Sequence, residues 1–153
     1  KIRYLAVARG CKFIFLDHLT YLVDDSDDPR RALNRLVKML HDLCVELDIV
    51  VIAACHLRKS ATSQRSSEEG GRVTLDDLKD SSSVKQLSDI VVGIERNSQD
   101  PDKDKANTSI LRVLKNRDFG QKGPATALYY EAETTRLVEL SVEEVFNKDM
   151  EDI

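Results

Sequence analysis

Two short runs decide the fold: Lys12-Phe13-Ile14-Phe15-Leu16-Asp17 and Ile49-Val50-Val51-Ile52-Ala53-Ala54-Cys55. Each is almost continuously apolar, as a strand buried on both faces of a parallel sheet would be. Between them, Asp28-Pro29 supplies a helix N-cap with proline in the first helical position. Leu33, Leu36, Val37, Leu40, Leu43, Cys44 and Leu47 then recur at three- and four-residue spacing, the stripe of an amphipathic helix that ends near Asp48. Strand, helix and strand at this spacing form a βαβ unit, normally parallel and right-handed.

Working outward, residues 1–9 read as the end of a helix closed by Gly10. Residues 24–28 are an acidic turn. Residues 58–74 are polar and rich in Gly and Ser, a segment long enough to expect a functional loop. A turn and short helix are predicted over 75–88 and a third strand over 90–95, followed by a polar loop over 97–105. Residues 108–117 and 125–131 alternate around Phe119-Gly120-Gln121-Lys122-Gly123 as a hairpin. Thr135 to Leu140 reads as an added edge strand, and the tail from Val142 is acidic.

The 153 residues are enough for one domain with a core, and 41% hydrophobic with 33% charged residues is ordinary for a globular chain. A net charge of −4 excludes a uniformly basic nucleic-acid-binding surface, so any such contact falls to local basic clusters. No apolar run approaches the roughly 20 residues of a membrane span, and the N-terminus shows no signal peptide. The chain does not begin with Met, which points to a trimmed or internal fragment. Cys11, Cys44 and Cys55 lie in apolar contexts without a paired spacing, against a zinc site or disulfide framework and for a reducing compartment.

Chemistry concentrates at strand ends. Asp17 closes the first run at the carboxyl edge of the sheet, where α/β proteins bind ligands; an acid there holds the magnesium of a bound nucleotide, and equally caps a turn. His56 closes the second run, fit to bond a phosphate oxygen or a backbone carbonyl. Gln86 follows the small residues Ser81, Ser82 and Ser83; its amide suits a phosphate or water, and a solvated helix face as well. Lys115, Arg117 and Lys122 crowd the hairpin, where cations either protect an edge or reach a neighbour's phosphates.

In order and spacing these segments resemble DnaB-family replicative ring helicases, nearest to phage primase–helicases and mitochondrial Twinkle. Phe13-Ile14-Phe15-Leu16-Asp17-His18-Leu19 resembles the family's Walker B strand. Val51-Ile52-Ala53-Ala54-Cys55-His56-Leu57-Arg58 resembles its third motif, and Asp77 to Asp89 its fourth, with Glu95-Arg96-Asn97 after it. Leu114-Lys115-Asn116-Arg117 resembles the arginine-finger strand, and the whole likeness spans residues 10–140.

The resemblance implies an α/β, RecA-like P-loop NTPase core that is partial: a mostly parallel sheet with flanking helices and a C-terminal antiparallel hairpin. Residues 1–140 would be the C-terminal part of that domain, and 141–153 an acidic tail. It implies ATP or dTTP with Mg2+ as cofactors, and single-stranded DNA and identical subunits in a homohexameric ring as partners. A primase domain and a replicative polymerase are further implied partners; a membrane is not.

The likeness assigns Asp17 to the magnesium through water, His56 and Gln86 to γ-phosphate sensing, and Arg117 to a finger entering the adjacent subunit. Lys115, Arg96 and Tyr130 would line the nucleotide, with Tyr130 stacking on the base. Arg58, Lys59 and Arg65 would face DNA, with Lys79, Ser81 and Ser83 in a second DNA loop. The implied setting is the cytoplasm of a phage-infected bacterium or, alternatively, the mitochondrial matrix.

The chain departs from the family pattern at Lys79, where the family has arginine, and at Ser81 and Ser83, where it has glycine. No G-x-x-x-x-G-K-[ST] occurs, and the upstream catalytic glutamate is absent as well. A RecA-like recombinase core and a non-catalytic remnant that binds DNA or a hexamer are the rival readings.

Overall fold

Phe13–Leu16 (β1) and Val50–Ala53 (β2) pair in parallel, Phe13 opposite Val50 and Leu16 opposite Ala53, and the helix Pro29–Leu47 (α2) connects them. The computed structural model describes residues 1–23, 26–57, 71–78 and 82–141. Its residues fall into two compact units, 1–58 with 78–88 and 59–77 with 89–153.

In the first unit, a helix Ile2–Arg9 (α1) is closed by Gly10 in the left-handed conformation at φ 68°, a geometry glycine adopts without a Cβ penalty. The Asp28 carboxylate accepts the Arg31 N–H at 3.0 Å and Pro29 takes the first helical position. The predicted start of α2 is thus the observed one. The helix ends at Asp48, left-handed at φ 49°. Lys12 Nζ donates to that residue's carbonyl at 2.9 Å and to its carboxylate at 2.7 Å. Leu33, Val37 and Leu40 are the buried part of the apolar stripe, and Ile14, Leu19, Val23, Ile49, Leu78 and Val84 complete the core of this unit. A helix Ser82–Leu87 (α3) packs on α2, and the Ser83 N–H lies 3.4 Å from the Asn34 side-chain oxygen.

The sequence reading expects β1 buried on both faces, and the structure corrects this. Only Ile14 of β1 is buried, while Phe13 and Phe15 are 64% and 73% exposed. Val50 and Ile52, their register partners, are exposed too. The described residues cover one face of this two-stranded sheet and leave the other apolar face open.

The second unit is a four-stranded antiparallel sheet of Ile90–Arg96 (β3), Thr108–Asn116 (β4), Gly123–Glu131 (β5) and Arg136–Leu140 (β6), ordered as in the sequence. The short helix Lys103–Asn107 (α4) precedes β4; Asp102 caps it by accepting the Asp104 N–H at 2.8 Å. The α/β character and the hairpin are as expected, but β3 pairs with β4 and the antiparallel part takes four strands. Two bulges, between Val91 and Val92 and between Leu111 and Arg112, shift the register. Among the described residues of this unit, Gly93, Glu95, Leu114, Ala127 and Val73 are buried. The opposite face carries Val92, Ile94, Leu111, Val113, Leu128, Tyr130 and Leu137, of which Ile94 and Leu137 are 66% and 60% exposed. No helix among the described residues is long and apolar enough to cross a membrane.

Candidate functional site

In the first unit the site grows from the carboxyl ends of β1 and β2. Side chains just beyond the parallel strands project from the sheet edge, the usual ligand position of α/β folds. Asp17 is exposed there. The Leu19 N–H donates to the Ala54 carbonyl at 3.0 Å and the Ala54 N–H to the Leu16 carbonyl at 2.9 Å. These bonds tie the residues after β1 to those after β2, and the His18 and His56 rings meet edge to face with centroids 4.2 Å apart. His18 Nδ1 lies 2.6 Å from Thr20 Oγ1 and accepts the Tyr21 N–H at 3.3 Å.

The neighbouring Cys55 thiol is pushed above its ordinary pKa by burial, so it remains a protonated thiol rather than a thiolate. Gln86 lies on the exposed side of α3, with Val84 buried beneath.

One exposed carboxylate, at Asp17, suits magnesium. That ion keeps several waters and needs only one or two protein carboxylates beside substrate phosphates. Among the described residues no group of three or more His, Cys, Asp or Glu gathers to form an all-protein cage.

In the second unit, Lys115 and Arg117 come together at the end of β4. Lys115 opposes Val91, and the Arg117 N–H donates to the Asp89 carbonyl at 2.9 Å. The Arg117 guanidinium also donates to Asp89 Oδ1 at 2.9 Å while remaining 44% exposed. Burial, and then the charge of Arg117, lowers the Lys115 pKa, with Asp89 pulling the other way. Two cations are thus crowded at the end of β4, with the Asp89 carboxylate on Arg117.

Arg96 donates from Nε to the Ala106 carbonyl at 2.8 Å and from Nη2 to Asn107 Oδ1 at 3.2 Å. Its guanidinium thus braces the end of α4. Arg96 pairs with Ser109, and Ser109 with Leu128, two residues from Tyr130. Arg96 and Tyr130 therefore share the open sheet face. Arg58, Lys59, Arg65, Lys79 and Ser81 lie outside the described residues.

Sequence reasoning overlooked the polar centre of this second unit. Glu95, 7% exposed, accepts from Arg112 Nε at 2.7 Å and Nη2 at 2.9 Å, and from the Val73 N–H at 2.9 Å. The hydrogen bonding of Arg112 to Glu95, more than the charge itself, raises the Arg112 pKa. The signal was Arg112 within Ile110-Leu111-Arg112-Val113-Leu114: a charge inside an apolar strand needs a partner. Overlooked too were Asp89 beside Arg117 and the His18 ring against His56.

Residues 1–139 match the family described as the DnaB-like helicase C terminal domain. The chain is also 35% identical over 136 residues to a protein of Enterobacteria phage T3 described as a DNA helicase/primase. That match covers 88% of this chain and 23% of the relative, so the chain spans less than a quarter of the relative's length.

Proposed function

Because this chain belongs to the DnaB-like helicase C-terminal domain family, we propose that it supplies part of a nucleotide-hydrolysing site in a ring-shaped replicative DNA helicase. In this reading the ring is a homohexamer moving on single-stranded DNA, fuelled by ATP or dTTP. The observation that carries it is the Lys115–Arg117 pair, with Arg117 half exposed and steadied by Asp89. An exposed ion pair such as Arg117–Asp89 contributes at most about 1 kcal/mol.

Each side chain then has a task. Asp17 would hold magnesium through water, and that ion, when bound, neutralises charge on the phosphate oxygens. His56, steadied by His18, and Gln86 would contact the γ-phosphate. Arg117 would leave Asp89 for the γ-phosphate of the adjacent subunit's nucleotide, with Lys115 beside it. Arg96 and Tyr130 would flank the nucleotide. Arg58, Lys59 and Arg65, with Lys79, Ser81 and Ser83, would contact the DNA backbone, sequence-independently and salt-sensitively. The phosphate-cradling loop would come from elsewhere in the polypeptide.

The test is phosphate release by the full-length protein with and without single-stranded DNA. Arg117→Ala should lower the stimulated rate by about 10³–10⁵-fold, the range for arginine fingers. Arg117→Lys should recover little, because lysine lacks the planar fork. Near-wild-type turnover in either variant would exclude the assignment.

A further inference from the structure

The buried Glu95 carboxylate has three donors on it, and only two belong to its ion pair. Arg112 uses both ends of its fork, Nε to Oε1 at 2.7 Å and Nη2 to Oε2 at 2.9 Å, and the third donor is the backbone N–H of Val73. Val73 is among the most deeply buried side chains of the molecule, at 2% exposure. It is gripped from the sheet side as well. A Cβ on Gly93 would stand 3.0 Å from Val73 Cγ1 and 3.2 Å from Leu114 Cδ1. Only a residue without a side chain lets Val73 seat this closely. The register shift between Val91 and Val92 accommodates Leu114 as the extra residue of β4, and its Cδ1 lies over Gly93 as well.

Glu95 of β3 therefore holds Val73 and is itself held by Arg112 of β4, the strand that continues directly into Lys115 and Arg117. In the sequence, Val73 follows the basic, serine- and glycine-rich run that contains Arg58, Lys59 and Arg65. A bidentate charged pair is directional and stiff compared with apolar packing. The cost of breaking it, once buried, is high. Such a pair suits the transmission of a displacement better than its absorption.

We propose that Glu95 is a positioning residue. With Arg112 and Gly93 it fastens the chain at Val73 to the strand that presents Arg117, so that a shift of Val73 on DNA engagement reaches Arg117. This rests on the reading of Arg117 given above. Glu95 touches no nucleotide in this scheme; it makes hydrolysis answer to DNA.

The experiment measures hydrolysis by the full-length protein with and without a saturating oligothymidylate, alongside ring assembly. Glu95→Gln keeps an acceptor for Val73 but breaks the charged fork. It should cut the DNA-stimulated rate at least tenfold, with the DNA-free rate within about twofold of wild type and rings intact. Gly93→Ala, which pushes on Val73 without touching the pair, should lower the same ratio. Should Glu95→Gln fail to fold, Glu95→Met with Arg112→Leu leaves no buried charge behind and should also lose stimulation. Retained stimulation in folded Gly93→Ala and in the folded fork variant, while Arg117→Ala abolishes hydrolysis, overturns the inference alone. Intact hydrolysis in Arg117→Ala overturns the reading beneath it.

Discussion

Lys115 shows how much one side chain's surroundings reveal. Burial disfavours its charged form, and the Arg117 charge beside it acts in the same direction. The fold therefore favours the neutral amine relative to the unfolded chain. The resulting strain is present at pH values below the lowered pKa and is relieved as pH rises through it. Removing Arg117 removes one of the two causes, so Arg117→Ala should raise the Lys115 pKa, read from the 13Cε resonance during titration. An unchanged midpoint would mean the two cations do not sense each other.

The Glu95–Arg112 pair sets a second expectation at this scale. Glu95→Ala leaves a buried guanidinium and the Val73 N–H without their acceptor, and should cost about 3–5 kcal/mol in a denaturant titration. A loss under about 1 kcal/mol, ordinary for an exposed pair, would contradict the burial described. Asp17, His56 and Arg117 were legible as candidates because each stands at the end of a strand, where α/β folds place ligands, and their order matched a family pattern. Glu95 was not, because its partners Arg112 and Val73 are distant in sequence and meet only through strand pairing.

Among the elements, α1 and α2 differ in what holds them. Helix α2 buries Leu33, Val37 and Leu40 and has a side-chain cap at Asp28. Asp28→Ala should cost about 1 kcal/mol, the usual loss of a helix cap, and Leu40→Ala about 2–5 kcal/mol. Helix α1 buries no residue; the exposed Arg3–Glu46 ion pair joins it to α2. Hydrogen bonding from Arg3 holds the Glu46 carboxyl below its ordinary pKa. The contribution of a lowered carboxyl pKa is present above the ordinary value and lost as pH falls through the lowered one. Acidification should accordingly release α1 before α2, seen as loss of helical Cα shifts over residues 2–9 while those of α2 persist. Simultaneous loss would show that α1 has other support.

The helix boundaries were readable because capping is local: Gly10, Asp28-Pro29 and Asp48 announce themselves in a few residues. Strand partners were less readable. An apolar run marks a strand, but periodicity does not say which neighbour it pairs with, and β3 went to β4 through residues about twenty positions away.

For the whole molecule, the prominent feature is apolar sheet surface left open: Phe13, Phe15, Val50 and Ile52 in the first unit, and Val92, Ile94 and Leu137 in the second. Exposed contiguous apolar surface marks a contact region. The 153-residue chain alone should bind a hydrophobic dye and self-associate with rising concentration, and Phe13→Ser with Phe15→Ser should weaken both. A monomeric chain that leaves the dye dark would contradict the exposure seen. The sequence reading expected these strands to be covered, since apolarity reports what a strand needs and not which residues supply it.

The central claim is that Asp17 and Arg117 act in one reaction from different subunits. Full-length Asp17→Asn and Arg117→Ala proteins, each expected to be inactive in DNA-stimulated phosphate release, should be mixed before ring assembly. Mixed rings contain interfaces where an intact Asp17 faces an intact Arg117, and the account expects hydrolysis to return in proportion to those interfaces. Mixed rings that assemble fully yet recover no hydrolysis would contradict it.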